Sequence, residues 1–477
     1  MKVTDSYAEP EQILDEQIAG MATAGQAERC FALRFTCDQY YLPEAPAQPL
    51  VALVALSQHD ASAPRIEAAI LPYHTELAHE LEQLVGQRAS LRAFAAAHRA
   101  AWIDLAAPMT LAPVQVRKPW GKEIWHTGVE ARGQASVSAE GLEIPLPWLL
   151  SLAPRRLAGG RPRDLILLKE LHPHPQPVFG DLYFEVHRRK REAYIVTHLD
   201  ARAWPDGVGG VRYGFNAELQ AQYGNERAFK RAYLQAVQAY ESVRREIDVK
   251  LDQRRHQAGL SATEPLPVET LLDWQGHLPD ELRATERRLR AAMERFIAVR
   301  PVRVGDVVTV PPLTPHGLLH GVGVVEFQTA DYERQILSFS QKVLTQSQWD
   351  TAEVLDEIPL TIAKPTCADS WSPALGITVE CAVKFPDFLV LRVVLASGAS
   401  LAWEQVLAQM SRAQQVSEIE PRYMLLMGLQ GDLQWQGPQA SSLSPGKARL
   451  FASCCVNGRV YNAGAADATL LLAAPRG

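Results

Sequence analysis

From Val114 onward the chain consists largely of short apolar runs separated by glycine and proline. Runs of four to eight residues between turn residues are typical of strands in antiparallel sheets. Examples are L-E-I-P-L at 142–146, D-L-Y-F-E-V at 181–186 and V-V-T-V at 307–310, and similar runs return at 388–398, 423–437 and 468–475. The sequence therefore predicts a mainly β protein.

Residues 215–299 interrupt this pattern. Asn225 is a suitable N-cap residue. The apolar residues after it recur three, four or seven positions apart, which places them on one face of a long helix: Phe229, Tyr233, Val237, Tyr240, Ile247 and Leu251. A second helix is predicted between Pro279 and Pro301. We therefore expect a helical insertion inside the first β domain.

The length of 477 residues favours about three domains at roughly 150 residues each. In the N-terminal part, residues 30–36 and 50–56 resemble strands, and residues 64–105 resemble helix. The predicted division has four parts, namely an α/β extension of unknown role at 1–110, a first β domain at 111–214 and 300–360, the helical insertion at 215–299, and a second β domain at 361–477.

Composition excludes several classes of protein. The net charge of −6 and the pI of about 6.1 argue against nucleic-acid binding through bulk charge. Six cysteines without a C-x-x-C pair indicate neither a disulfide framework nor a thiolate zinc knuckle. The chain has no signal-peptide pattern and no apolar run near the roughly 20 residues that span a bilayer. We predict a cytoplasmic protein that does not bind membranes, and the oligomeric state stays open.

Two stretches carry candidate metal ligands. Glu185 and His187 are two residues apart, so on a strand both side chains point to one face. Glu192 follows after four intervening residues, enough for a tight turn into the next strand. His316 follows a strand and a proline-rich turn, and no histidine lies beyond His320. Two imidazoles and two carboxylates suit Zn²⁺, and also Mn²⁺ or Fe²⁺.

These stretches resemble the paired signatures of the cupins. The first is similar to G-x5-H-x-H-x3,4-E, with Glu185 where the first histidine usually stands. The second is similar to G-x5-P-x-G-x2-H and runs from Gly305 to His316, with Leu313 at the inner glycine.

The combination resembles the type I mannose-6-phosphate isomerases in particular, over about residues 114–477. K-P-W-G at 118–121 resembles the motif that opens their catalytic region, and D-L-Y-F-E-V-H at 181–187 resembles their D-L-S-V-Q-V-H strand. Lys190 to Glu192 matches K-x-E, Pro311 to His316 resembles P-x-G-T-x-H, and E-F-Q at 326–328 matches an E-x-Q strand that leads to a catalytic arginine, here Arg334.

The resemblance implies a jelly-roll-like cupin barrel as catalytic domain, a helical domain inserted between its metal motifs, and a second, metal-free cupin-like domain at the C-terminus. It implies that mannose 6-phosphate and fructose 6-phosphate are interconverted through an enediolate. Carried over by position, the metal ligands are Glu185, His187, Glu192 and His316. Lys190 and Arg334 are then the active-site cations.

Aldose–ketose isomerisation moves a proton between C2 and C1 and places negative charge on the carbonyl oxygen. A divalent cation polarises that carbonyl, and fixed cations stabilise the charge. Arg334 suits this last role because it keeps its proton. Lys190 can stabilise charge or carry the proton, Glu326 is a possible base, and the sequence does not choose between them.

Two alternatives stay open. Only four residues separate His187 from Glu192, where the isomerases usually have a long loop, and Tyr183 replaces a small serine. These differences motivate a second hypothesis, namely a metal-binding cupin that binds sugars or sugar phosphates without isomerase activity, as a sensor or binding protein. A cupin with other metal chemistry, such as an oxygenase, is the third hypothesis, and finding zinc would exclude it because zinc has no redox chemistry.

Overall fold

The structure is a computed structural model that describes residues 3–5, 9–42, 44–58, 64–131, 133–160, 165–362, 369–415, 423–437, 439–452 and 458–476. The chain forms two compact units. The first unit comprises residues 1–114, 125–168 and 367–477, and the second comprises residues 115–124 and 169–366.

A five-stranded sheet begins the first unit. Its strands pair in chain order, as Val3–Asp5, Glu28–Cys37, Gln48–Ser57, Arg65–Pro72 and Ile103–Asp104. Helices Pro10–Thr23, Thr75–Gln83 and Arg88–Ala97 accompany it. The strands predicted at 30–36 and 50–56 are confirmed. The helix predicted over 64–105 is wrong for residues 65–72, because a short run that is buried on both faces shows no strand periodicity.

The first unit also contains a nine-stranded sheet, whose order is Leu142–Pro145, Ser136–Ala139, Met109–Ala112, Ala448–Ala452, Tyr423–Gln430, Ala468–Pro475, Phe388–Leu395, Ile377–Lys384 and Ser370–Ala374. A four-stranded sheet has the order Ser400–Ala402, Arg459–Asn462, Leu433–Gln436 and Ser441–Ser442. Two short strands, Val129–Glu130 and Gly133–Gln134, pair with each other, and the helices are Leu146–Leu152, Pro154–Ala158 and Trp403–Gln414. The division predicted from the sequence assigns residues 136–145 to the first β domain. In the structure, the strand Ser136–Ala139 pairs with Met109–Ala112, which in turn pairs with the C-terminal strand Ala448–Ala452.

Two sheets form the framework of the second unit. The six-stranded sheet has the order Val307–Val310, Glu192–Leu199, Val322–Gln328, Leu167–Pro173, Gly121–Trp125 and Val114–Lys118. The five-stranded sheet has the order Ile297–Val302, Gly209–Phe215, His316–Leu318, Phe184–Val186 and Gln335–Ser338. Strands far apart in sequence are thus neighbours, which brings residues near 185, 192 and 316 to one place.

The helices of the second unit are Ala217–Gln220, Glu226–Gln257, Val268–Gly276, Asp280–Glu294 and Thr351–Val354, with a 3₁₀ turn at Leu355–Glu357. Asn225 caps the long helix by accepting a hydrogen bond from the backbone N–H of Ala228 at 2.9 Å. The predicted apolar face of this helix is buried. Its Phe229 and Tyr233 rings meet Phe215 of the five-stranded sheet at centroid distances of 5.7 and 5.1 Å.

The prediction of a mainly β chain is confirmed, because helices are few beside the several sheets. The four-part domain division stays a prediction. Among the described residues, no helix combines the length and apolar character needed to cross a bilayer.

Candidate metal centre and active site

Glu185 and His316 are direct cross-strand partners in the five-stranded sheet. Opposed side chains on neighbouring antiparallel strands lie about 4.5–5.5 Å apart at Cβ, so they share one environment. His187 follows the strand that carries Glu185. The two-residue spacing thus places both Glu185 and His187 beside His316.

Glu192 begins a strand of the six-stranded sheet and connects the two sheets through its carboxylate. Its Oε2 lies 3.0 Å from His316 Nε2, and its Oε1 lies 3.4 Å from His187 Nε2. Tyr194, two residues further on the strand, donates its hydroxyl hydrogen to the same Oε2 at 2.8 Å. Glu192 therefore contacts two of the other three predicted ligands, His187 and His316.

The arrangement fits a divalent cation. Ligand atoms of Glu185, His187 and His316 all lie within 4.8 Å of one another. His187 is 1% exposed, yet neither of its ring nitrogens has a hydrogen-bond partner, and Glu185 Oε2 has none either. Buried polar atoms without partners are costly, and a cation held by these groups removes that cost.

His316 is oriented by its own turn. The Thr314 carbonyl oxygen lies 2.9 Å from Nδ1 and requires the proton on that nitrogen. Nε2 faces Glu192 Oε2 at 3.0 Å, so a proton or a cation must lie between these two atoms. A backbone carbonyl on the second nitrogen is the usual support of a metal-binding imidazole.

Positively charged and hydrogen-bonding groups around Glu192 offset the effect of burial on its carboxylate. Burial acts to raise the pKa of this carboxyl, but Lys190 and the two imidazoles outweigh burial and hold the pKa well below its ordinary value. Burial, reinforced by Lys190, lowers the pKa of His187. Burial alone would also lower the pKa of His316, but its contact with Glu192 raises it. The Glu192 carboxylate is thus ionised, as a metal ligand must be.

Lys190 differs from the arginines that surround it. Its Nζ lies 2.5 Å from Glu192 Oε1, and its side chain is 9% exposed. Arg188 instead pairs with Glu353 and Glu357, while Arg189 is 78% exposed. The basic run therefore splits, with the Lys190 ammonium facing inward and the Arg188 and Arg189 guanidinium groups facing outward.

Arg334 lies next to Glu185, one of the three residues able to hold a metal. Its Nε lies 3.8 Å from Glu185 Oε2, and its guanidinium carbon lies 4.6 Å from the centre of the Tyr183 ring. Its Nη2 donates to the Thr345 hydroxyl at 2.8 Å. Among the described residues, Arg334 makes no ion pair with Asp331 or Glu333.

Glu326 lies in the strand next to Glu192, opposite Tyr194. Burial, together with the negative charge of Glu192, raises its pKa to about 8. Lys169 Nζ lies 3.7 Å from Glu326 Oε2 and donates to Gln328 Oε1 at 2.9 Å. Glu326 is outside the group of three ligands, with a carboxyl that titrates near neutral pH.

Sequence reasoning missed three residues that support this site: Lys169, Tyr194 and Glu333. Glu333 accepts hydrogen bonds from the backbone N–H groups of Arg189 and Lys190, the latter at 2.8 Å, and so fixes the turn before Glu192. The signal for Lys169 was a lone cation inside the apolar run at 165–171. His320, the last histidine of the chain, binds Asp181 at 2.8 Å and stacks on Trp204.

Comparison with solved structures bears on the fold. Mannose 6-phosphate isomerase from Bacillus subtilis aligns with a TM-score of 0.51 at 14% identity, covering 77% of this chain and 99% of that one. The chain has a fold similar to that enzyme. A phosphomannose isomerase variant from Salmonella typhimurium aligns with a TM-score of 0.46 at 11% identity, covering 78% of this chain and all of that one. No protein-family profile and no curated protein sequence matches the chain.

The predicted resemblance to mannose 6-phosphate isomerases is therefore confirmed as a structural similarity. At 14% identity the similarity concerns the fold. The site itself offers a His/Glu group able to hold a metal.

Proposed function

We propose that the protein is a metal-dependent aldose–ketose isomerase of sugar phosphates that interconverts mannose 6-phosphate and fructose 6-phosphate. The observation that carries the proposal is the group of Glu185, His187 and His316, in which both histidines are buried and two members have polar atoms without hydrogen-bond partners. This group lies in a fold similar to that of a mannose 6-phosphate isomerase.

Glu185, His187, Glu192 and His316 are the proposed ligands. Zn²⁺ fits two imidazoles and two carboxylates, as do Mn²⁺ and Fe²⁺. When bound, the cation supplies Lewis-acid polarisation of the sugar carbonyl. Tyr194 and Lys190 hold the Glu192 carboxylate in place from two sides.

Arg334 is the proposed fixed cation for the negative charge of the enediolate. Its guanidinium cannot lose its proton at neutral pH, and contacts with Tyr183 and Thr345 fix its position. Preorganised charges of this kind cost no rearrangement during the reaction.

Glu326 is the proposed proton carrier between C2 and C1. A carboxyl with a pKa of about 8 can accept and return a proton near neutral pH. Lys190 is less suited to this task because its ammonium is already engaged by Glu192. We therefore assign Lys190 to positioning Glu192 and balancing its charge.

The test is an isomerase assay on protein whose metal content has been measured by elemental analysis. The metal-loaded protein should interconvert the two sugar phosphates, lose activity with a chelator and regain it with added metal. Arg334→Ala and Glu326→Gln should lower kcat at least 100-fold, roughly the range of general acid–base catalysis, while His198→Ala, at an exposed histidine, should have no effect. Tight sugar-phosphate binding without turnover would contradict the proposal and support a binding protein.

A further inference from the structure

The Glu185 carboxylate faces two different groups. Its Oε1 lies 3.8 Å from Nε2 of His187, another proposed metal ligand. Its Oε2 lies 3.8 Å from Arg334 Nε. One carboxylate therefore stands between a proposed metal position and a cation able to bind an oxyanion.

We infer that the Glu185–Arg334 pair couples the two binding events, so that a bound divalent cation raises the affinity for an oxyanion and the oxyanion raises the affinity for the cation. The inference rests on the proposed function in one respect, namely that Glu185 is a metal ligand. The oxyanion class includes phosphate and carboxylate groups and the enediolate oxygen.

Arg334 is fixed but accessible. The Tyr183 ring lies against its guanidinium, and Phe339 lies against that ring at 4.2 Å between centroids. The Thr345 hydroxyl holds Nη2. The Arg334 side chain nevertheless remains 24% exposed, so a ligand can reach it. Arg334 can therefore change partners with little movement.

Electrostatics gives the direction of the coupling. In the metal-free protein, the Glu185 charge is available to Arg334 and reduces its attraction for a second anion. When the carboxylate binds a divalent cation, this competition weakens and the guanidinium binds an oxyanion more tightly. By linkage, the oxyanion must raise the cation affinity by the same factor.

The neighbouring carboxylate of Glu333 does not compete for Arg334 in the way that Glu185 does. Glu333, adjacent to Arg334 in sequence, accepts backbone hydrogen bonds from Arg189 and Lys190 instead. A glutamine at position 185 would keep an oxygen for a metal but would carry no charge to compete for Arg334. The charge of Glu185 is therefore the feature to test.

The experiment is calorimetric titration of sulfate, a stable oxyanion that does not precipitate Mn²⁺. Wild type, Glu185→Gln and Glu286→Gln are titrated with chelator and again with saturating Mn²⁺. Metal-free Glu185→Gln should bind sulfate about tenfold more tightly than metal-free wild type, a usual size for coupling between sites. The increase caused by Mn²⁺ should be smaller in Glu185→Gln than in wild type.

Glu286→Gln is the matched control because it removes a carboxylate of similar exposure, 14% against 16%, that pairs with Arg290 instead of Arg334. It should keep the wild-type ratio of sulfate affinities with and without Mn²⁺. Equal ratios in wild type and Glu185→Gln would overturn the inference.

A second measurement serves if Glu185→Gln does not fold. Mn²⁺ is titrated into Arg334→Gln and wild type, with and without sulfate. Metal-free Arg334→Gln should bind Mn²⁺ more tightly than wild type, and sulfate should change that affinity less. An unchanged sulfate effect would overturn the inference. Coupling without isomerase turnover would refute the proposed function alone, and turnover without coupling would refute this inference alone.

Discussion

The backbone N–H of Leu313 donates a hydrogen bond to the carbonyl oxygen of His187 at 2.7 Å, which ties the turn before His316 to the segment that carries the other ligands. Leu313 has φ +58°, in the left-handed region that favours glycine. The cupin signature has its inner glycine at this position. Leu313 thus adopts the left-handed backbone conformation that glycine readily adopts.

The first prediction concerns this turn. Holding a non-glycine residue in the left-handed region costs about 1–2 kcal/mol of conformational energy. At ordinary backbone angles, by contrast, a protein with glycine is about 0.5–1 kcal/mol less stable than one with alanine, because glycine loses more backbone entropy on folding. We expect Leu313→Gly to be more stable than Leu313→Ala by about 1 kcal/mol. Both variants lose the same side chain beyond Cβ, so urea denaturation isolates the backbone contribution. Equal stability, or a more stable alanine variant, would show that the turn relaxes.

The second prediction concerns metal and stability. His187 has two buried ring nitrogens without hydrogen-bond partners, so we expect metal to stabilise the folded protein. At a thousandfold excess over Kd, linkage gives about 4 kcal/mol. Thermal denaturation should show a higher Tm with Zn²⁺ or Mn²⁺ than with chelator in wild type and in the control His198→Ala. A metal-dependent shift that persists in His187→Ala would refute its role as a ligand.

Three of the four proposed ligands were identifiable from sequence because two local rules place them, and Glu192 follows from the short turn after His187. A spacing of two on a strand puts Glu185 and His187 on one face, and a proline turn after a strand positions His316. The supporting residues follow no such rule. Lys169 and Glu333 reach the site through strand pairing and a loop contact, which no single segment encodes.

The error at residues 65–72 has a different cause. This strand lies between two others and is buried on both faces, so its side chains do not alternate between apolar and polar. A run of that kind cannot be distinguished from a buried helix by periodicity. Long helices with one buried face, such as Glu226–Gln257, are the opposite case, and their pattern is readable.

The third prediction tests the support of Glu192. Tyr194→Phe removes the hydroxyl that donates to Glu192 Oε2 while keeping the buried ring. Loss of such a supporting contact typically lowers metal affinity about 10- to 100-fold, and we expect that range in competition titrations with a chelating dye. Tyr213→Phe is the matched control, since its hydroxyl donates to the Thr309 backbone carbonyl. Equal affinities in the two variants would mean that Lys190 and the imidazoles alone orient the carboxylate.

The last prediction uses the raised pKa of Glu326. The carboxyl titrates near pH 8 in the folded protein and near 4.5 when unfolded, with burial as the main cause. Folding therefore favours the protonated form. Stability from this group is complete below about pH 4.5 and is lost as the pH rises to about 8.

Glu326→Gln keeps the shape of the side chain and cannot ionise. In the presence of chelator, its free energy of unfolding relative to wild type should therefore increase steadily between pH 5 and 8, and the two curves should run parallel above pH 8. Glu281→Gln, at an exposed helical position, should follow wild type throughout. If Glu326→Gln also follows wild type from pH 5 to 8, the carboxyl ionises without penalty, and its assignment as a proton carrier near neutral pH loses its physical basis.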